Sequence, residues 1–323
     1  MHTHDTYIGG TASEKRNIPV PHELLRSLLY FEIFQFPLKV NELKRFCGKP
    51  TTIKEVEDEL IWLVQAGYVK HKSGFYSTAE QDIDSIVERR KKGHITADKM
   101  LKTVKRYSKL ISGFPFVRGI YLSGSLSKGY ADKKSDADYF IITKPGRLWI
   151  CRMLLVGFKR IFLFNSHKYF CVNYFIDEEG LEIQDKNIFT ATELATLIPT
   201  CNTSLYWKLM QANAWLKEFF PNTLFEGVSG EETIPGNQTW LKLAGEKILS
   251  GKFGDKLDNY CYKITVAKWK KKFKSLSKEE LELNLRSKKN VSKHHPQGFQ
   301  IKVVNVFNEK VKNFEQKFHI KLS

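Results

Sequence analysis

Residues 116–143 constrain the fold of this chain more than any other part of its sequence. A short run of β-branched and aromatic residues, FVRGIYL, leads directly into Ser123-Gly124-Ser125, and a second apolar run, YFIIT, begins at Tyr139. Asp136-Ala137-Asp138 stands immediately before that second run. The segment therefore predicts two strands joined by a basic polar loop, with a Gly-Ser pair after the first strand and two carboxylates at the start of the second.

The spacing of the two aspartates predicts that their side chains lie together. In a strand, residues i and i+2 point to the same face, so Asp136 and Asp138 are expected to face one point. Two adjacent carboxylates repel each other unless a cation neutralises them, and hard oxygen ligands suit Mg²⁺ or Mn²⁺. Gly124 allows the backbone to approach a phosphate closely, and Ser125 adds an amide and a hydroxyl as donors.

Residues 123–143, SGSLSKGYADKKSDADYFIIT, resemble the motif of the DNA polymerase beta-like nucleotidyltransferase superfamily, and in particular that of its minimal nucleotidyltransferases. The resemblance implies a small mixed sheet flanked by helices and magnesium-dependent transfer of a nucleotidyl group from a nucleoside triphosphate. It implies that Gly124 and Ser125 hold the triphosphate, and that the catalytic carboxylates Asp136 and Asp138 bind the metal ions. Lys128 and Ser135 of the loop are further candidates for nucleotide contacts.

The chain departs from this family pattern at the third carboxylate. The family places one on the strand after the next helix, and the strand predicted at 168–177, KYFCVNYFID, carries Asn173 there. Residues 181–184, LEIQ, are expected to return as the second strand of a hairpin. Glu182 could supply the missing catalytic carboxylate if the register brings it to the same face. The alternative is a nucleotidyltransferase fold that has lost its activity.

Residues 20–80 alternate helical and strand patterns in the order of a winged helix. Apolar helical stripes predict helices at 22–34, 39–46 and 53–66, and YVKHKSGFY predicts a hairpin. The first two turns of the third helix carry four acidic residues and one lysine, and acidic side chains repel phosphate. We therefore interpret this region as a packing or partner-docking module, with DNA reading as the alternative. Because the motif lies beyond residue 80, the module is not expected to contribute to nucleotide binding.

Charge and periodicity divide the rest of the chain into three regions. Residues 81–112 are expected to form basic connecting helices, 113–200 the nucleotidyltransferase core, and 201–323 a basic helical region. Residues 240–323 hold 20 Lys or Arg against 8 Asp or Glu, which is +12 of the chain's net +17. Within them WKKKFKS, residues 269–275, fits a nucleic-acid face and a core stripe with solvated lysines equally well.

Composition narrows the class of protein and of partner. Hydrophobic residues make up 42% and charged residues 27%, as is typical of a globular chain. Five scattered cysteines without C-x-x-C favour neither a disulfide framework nor a zinc cluster, so we expect a cytoplasmic protein. A bacterial origin is expected as well. The positive charge favours an anionic partner. Residues 1–19 show no secretory signal and are expected to be flexible, and charges interrupt the apolar stretch 148–164, so no membrane contact is expected.

These patterns together predict an α+β chain. It would comprise a small mixed β-sheet nucleotidyltransferase core flanked by helices, an N-terminal winged-helix-like module and a helical C-terminal region. The predicted activity is metal-dependent transfer of a nucleoside monophosphate from a nucleoside triphosphate to the hydroxyl of an unidentified acceptor, which could be a nucleic acid, a protein or a small molecule. The alternative is a weak or inactive regulator or scaffold that senses nucleotide and docks a partner through the winged helix.

Overall fold

A computed structural model describes residues 21–223, 238–294 and 298–322. The tail predicted to be flexible, residues 1–19, lies outside these ranges. The described chain is a mixed α+β structure, with a small mixed sheet and many helices, as predicted.

Three helices and a hairpin come first in the chain, as the sequence predicts. Thr52 and Glu55 form a capping box at the third helix, since each side chain accepts a hydrogen bond from the other residue's backbone N–H. Ser73 and Gly74 both have positive φ, which is the conformation of a tight two-residue hairpin turn. The elements are α1 (His22–Glu32), α2 (Val40–Phe46), α3 (Ile53–Gln65), β1 (Val69–Lys72) and β2 (Phe75–Thr78).

The basic connection is one helix, α4 (Ile83–Ser112), and not the pair of helices that the sequence predicts. Its only glycine, Gly93, is where a break would be expected. The helix nevertheless continues through Gly93, and the Tyr130 ring packs directly on this residue: a Cβ at Gly93 would lie 2.2 Å from that ring. Glycine is therefore needed at this position because an aromatic ring from outside α4 packs directly on the helix backbone.

The six-stranded sheet has the spatial order β6-β3-β4-β5-β8-β7. Strands β4 and β5 are parallel, and all the other neighbouring pairs are antiparallel. The parallel pair is joined by a helical crossover, while a one-turn helix follows the first strand of the motif. In chain order these elements are β3 (Val117–Ser123), α5 (Gly124–Ser127), β4 (Asp138–Thr143), α6 (Leu148–Phe162), β5 (Cys171–Asp177), β6 (Ile198–Cys201), β7 (Ser287–Lys288) and β8 (Val291–Lys293).

The prediction of a hairpin over residues 168–184 is wrong. Residues 181–184 form no strand, and β5 pairs with β8, from far along the chain. The Asn213 side chain holds the segment as a loop, since it accepts a hydrogen bond from Ile183 N at 2.8 Å and donates one to Leu181 O at 2.8 Å. The C-terminal region, predicted to be helical, therefore also supplies two strands of the sheet.

The remaining helices cover the two faces of the sheet. Helix α6 begins on the Asp258 carboxylate, which accepts hydrogen bonds from Trp149 N and Ile150 N at 2.9 Å each. A short 3₁₀ helix lies at Ala214–Glu218. The helices are α7 (Ile188–Ala195), α8 (Thr203–Ala212), α9 (Trp240–Ile248), α10 (Gly251–Lys272), α11 (Lys278–Asn284) and α12 (Phe299–Phe318).

The sheet separates two hydrophobic cores. One core joins α1, α2 and α3 to α7, α8, α12 and one sheet face, which presents Tyr121 and Phe140. The other joins α4, α6 and α10 to the opposite face, which presents Ile120 and Ile141. The N-terminal helices thus share a core with the sheet, as the packing interpretation of that module expects.

The aromatic residues of the 269–275 segment face inward. Trp269 is buried beneath the Arg152 guanidinium, whose carbon lies 4.7 Å from the ring centroid, while Lys270, Lys271 and Lys272 are exposed. This arrangement favours the core stripe with solvated lysines over a nucleic-acid face. Among the described helices, none combines the length and the apolar character that a membrane crossing requires.

Candidate functional site

A cavity of about 840 Å³ lies beside the end of β3 and the beginnings of β4 and β5. Its lining includes the predicted residues Gly124, Ser125, Lys128, Asp136 and Asp138. The structure therefore brings together both halves of the motif, which ten residues of loop separate in the sequence.

Gly124 and Asp138 make the closest approach within the site. Ser123 pairs with Asp138 across β3 and β4, and Gly124 follows with a φ of +72°. A Cβ at position 124 would lie 2.6 Å from Asp138 Oδ2, closer than such atoms can approach. Glycine is required here for its backbone conformation and for the space that the carboxylate occupies. The Gly-Ser backbone is thereby held against the metal-binding carboxylate that the sequence predicts.

The Asp138 carboxylate is half-buried among other acids. Burial above all, and then the charges of Glu193 and Asp136, raise the pKa of Asp138 from its ordinary 3.8 to about 6. Asp136 makes no hydrogen bond or ion pair with any part of the described chain. Two neighbouring carboxylates, one of them without a protein partner, fit the oxygen ligand set of Mg²⁺ or Mn²⁺.

Glu193 of α7 is a site residue that the sequence analysis missed. Its Oε2 accepts a hydrogen bond from Gly124 N at 3.2 Å, and its Oε1 accepts one from Lys128 Nζ at 2.7 Å. The two groups expected to bind phosphate therefore both bind an internal carboxylate. Only the helical pattern around Glu193 was visible in the sequence, and such a pattern carries no information about a contact 69 residues away.

Asn173 lies next to Asp138, where the family pattern places its third carboxylate. The Asn173 amide donates to Asp138 Oδ1 at 3.2 Å and to Cys171 Sγ at 2.9 Å. The register of β4 and β5 is irregular here, since the pairing steps from Val172 to Tyr174. A neutral amide therefore stands where the resemblance leads us to expect a third carboxylate.

Glu182 does not reach the site. It is exposed, forms an ion pair with Lys186 at 2.9 Å, and is not among the residues that line the cavity. The expectation that it replaces the third carboxylate required a returning strand at 181–184, and that strand is absent. The assignment of Glu182 as a catalytic residue is therefore withdrawn.

Ser135 also lies outside the lining of the cavity. Its hydroxyl donates to Asp132 Oδ1 at 3.0 Å and accepts from Asp132 N at 2.8 Å. These bonds close the turn that leads into the two aspartates. Ser135 therefore shapes the loop, and the nucleotide contact predicted for it has no counterpart in this geometry.

Aromatic side chains line the part of the cavity beyond the carboxylates. Phe31, Phe34 and Phe36 come from α1 and the turn after it, and the stacked rings of Phe140 and Tyr174, 4.9 Å apart, come from the sheet. Residues 20–80 therefore contribute to the wall of the cavity, whereas the expectation that they do not contribute to nucleotide binding stays a prediction. They contribute because α1 packs on the sheet face that holds the motif.

No family model, curated protein or solved structure matches this chain. The site offers carboxylates for a divalent cation, a lysine and backbone amides for phosphate oxygens, and an aromatic wall for an apolar or planar group.

Proposed function

We propose that this chain is a metal-dependent nucleotidyltransferase that moves a nucleoside monophosphate from a nucleoside triphosphate to the hydroxyl of a small molecule. The observation that carries the proposal is the contact between Gly124 and the Asp138 carboxylate, with Asp136 in the same cavity. It supports the resemblance of the motif to the polymerase beta-like superfamily, as does an antiparallel pair followed by a helical crossover to a parallel strand.

Each residue of the motif has a role in this proposal. Asp136 and Asp138 would hold Mg²⁺ or Mn²⁺, and such an ion supplies positive charge to the triphosphate and lowers the pKa of the attacking hydroxyl. The amides of Gly124 and Ser125 and the Lys128 ammonium would bind phosphate oxygens. The acceptor oxygen forms a bond to the α-phosphorus, pyrophosphate leaves with the bridging oxygen, and the hydroxyl proton is released.

The shape of the cavity supports a small acceptor. A volume of about 840 Å³ lies within the roughly 300–1,000 Å³ of small-molecule sites. Phe34 and Phe36 on one side, with Phe140 and Tyr174 on the other, suit an apolar or planar group. The inward packing of Trp269 also removes the 269–275 segment as a candidate nucleic-acid face.

The proposal is tested by incubating the protein with each α-labelled nucleoside triphosphate, Mg²⁺ or Mn²⁺, and a cell extract separated into small molecules and macromolecules. We expect label to enter the small-molecule fraction with the wild type and not with Asp136→Asn. Glu182→Gln is the matched control, because it removes an exposed carboxylate outside the cavity. Label transfer that survives Asp136→Asn and Asp138→Asn would refute the assignment of the site.

A nucleotide-sensing regulator is the second candidate, and the contacts of Glu193 favour it. The Glu193 carboxylate already accepts hydrogen bonds from Gly124 and Lys128, so a triphosphate must displace it to bind there. The neutral Asn173 also weakens the ligand set for a second metal ion. Tight nucleotide binding without any transfer of label would support this candidate. The exposed acidic face of α3 would then be the surface that docks the partner.

A further inference from the structure

We propose that Asp136, His167 and Cys171 form a binding site for a transition metal ion of the zinc type, beside the proposed magnesium site. One potential ligand atom from each of the three side chains lies within 4.8 Å of the other two. The site does not depend on the nucleotidyl transfer proposed above, and it uses a histidine and a cysteine that the sequence analysis did not assign.

Backbone hydrogen bonds bring the three residues together. Ala137 N donates to Lys168 O at 2.9 Å, and Cys171 N donates to Ala137 O at 3.1 Å. The segment that holds Asp136 is thereby paired with the segment from His167 to Cys171. The three ligands come from two separate stretches of chain that the sheet itself aligns, and their proximity is a consequence of the fold.

The separation of the histidine and cysteine ligand atoms fits tetrahedral coordination. A zinc ion lies about 2.3 Å from sulfur and about 2.05 Å from an imidazole nitrogen, so two such ligands at a tetrahedral angle are about 3.6 Å apart. His167 Nδ1 lies 3.6 Å from Cys171 Sγ. The Asn173 amide donates to the same sulfur at 2.9 Å, which is the outer hydrogen bond that orients a thiolate ligand.

The donor set selects the kind of metal. Sulfur and imidazole nitrogen favour zinc and related ions over Mg²⁺, which prefers oxygen ligands. The thiol gives up its proton to solvent when the metal binds. Three protein ligands leave a fourth position for water or a substrate oxygen, as in catalytic zinc sites.

The Lys159 ammonium lies close to the position that the metal ion would occupy. Its Nζ is 3.4 Å from His167 Nδ1 and 3.5 Å from Nε2, and the residue is 7% exposed. A cation at this distance opposes a divalent ion, so the Lys159 ammonium would have to turn away when the metal binds. Lys159 therefore sets the affinity of the site, and its removal should increase that affinity.

The two proposed metal sites share Asp136. An ion held by His167 and Cys171 would withdraw Asp136 from the magnesium site, so zinc should inhibit the transfer reaction in a cysteine-dependent way. This consequence alone rests on the proposed function. The binding site can be tested without any nucleotide.

The test is a titration of the full chain with Co²⁺, read from thiolate-to-cobalt charge transfer and tetrahedral ligand-field bands, followed by displacement with Zn²⁺. We expect one ion per chain, with at least about 100-fold weaker binding in His167→Ala and Cys171→Ser, since loss of an outer-shell partner alone costs 10–100-fold. Lys159→Met should bind at least about tenfold more tightly. Cys201→Ser is the control, because Cys201 is also buried but lies outside this cluster.

Two results would overturn the proposal. If His167→Ala and Cys171→Ser bind Co²⁺ as tightly as the wild type, the ion lies elsewhere on the chain. If neither the wild type nor Lys159→Met shows a charge-transfer band, these residues do not form a metal site. Circular dichroism confirms that each variant is folded, and His167→Ala is the safest variant because its side chain is exposed. Neither result depends on whether label is transferred from a nucleotide.

Discussion

Replacing Asp138 with Asn should stabilise the protein at alkaline pH while it abolishes metal-dependent nucleotide binding. The substitution removes a charge and keeps the shape of the side chain. Burial, followed by the charges of Glu193 and Asp136, raises the pKa of Asp138 to about 6 from its ordinary 3.8. The folded chain thus binds this proton more tightly than the unfolded chain. The stabilisation from the protonated form is fully present below about pH 3.8 and is lost as the pH rises through 6.

The size of the effect follows from the difference between the two pKa values. About two pH units at about 1.4 kcal/mol each amount to about 3 kcal/mol at pH 8, and the same linkage leaves about 1 kcal/mol at pH 4.5. We therefore expect Asp138→Asn to unfold with a free energy higher by these amounts at the two pH values. At pH 8 this corresponds to a rise in Tm of about 4 °C for a chain of this length. Adding Mg²⁺ should reduce the difference in unfolding free energy between Asp138→Asn and the wild type, because we expect only the wild type to bind the ion.

Urea denaturation in the presence of a chelator, followed by tryptophan fluorescence at pH 4.5 and pH 8, measures both free energies. Asp185→Asn is the contrasting control, because the buried Asp185 accepts from Arg286 at 2.8 Å and from Lys293 at 2.9 Å. That variant leaves two buried cations without their anion, and its free energy of unfolding should fall by about 3–5 kcal/mol. Two results would refute this reasoning: Asp138→Asn is no more stable than the wild type at pH 8, or it gains the same unfolding free energy at both pH values. Either would show that the fold does not destabilise the charged form of Asp138.

Three further predictions concern the cavity. Glu193→Gln should raise the affinity for a nucleoside triphosphate about tenfold in calorimetry, because one charge-assisted hydrogen bond no longer competes for Lys128; unchanged affinity would place the phosphates elsewhere. Asn173→Asp should raise Mn²⁺ affinity by restoring a third carboxylate beside Asp138, whereas Glu182→Gln should leave it unchanged, and the reverse pattern would contradict the strand register described above. Phe34→Ala should raise the KM for the acceptor or nucleotide with little change in Tm, since the side chain is only partly buried on the cavity wall; an unchanged KM would exclude the turn after α1 from the site.

Local patterns in the sequence were sufficient to predict the elements that local forces decide. The apolar stripe of α1 and the hairpin after α3 depend on neighbours within a few residues, and the structure has both. Thr52 caps α3, and Ser73 and Gly74 form the hairpin turn. Both aspartates line the cavity, as predicted, but β4 begins at Asp138, so Asp136 lies in the loop before the strand and not within it. The sign of the chain's charge was also available from composition, but its partner was not.

Tertiary structure alone decided which distant groups complete the cavity. Glu193 meets Gly124, β8 takes the place expected for residues 181–184, and the aromatic side chains of α1 face the motif. Each of these contacts joins segments far apart in the chain, and their pairing depends on which buried faces fit together. The periodicity of a segment shows that it has an apolar face, but it carries no information about which other face will cover it. The residues of the motif could therefore be named from the sequence, whereas their protein partners, including the cluster around Cys171, could be found only in the folded chain.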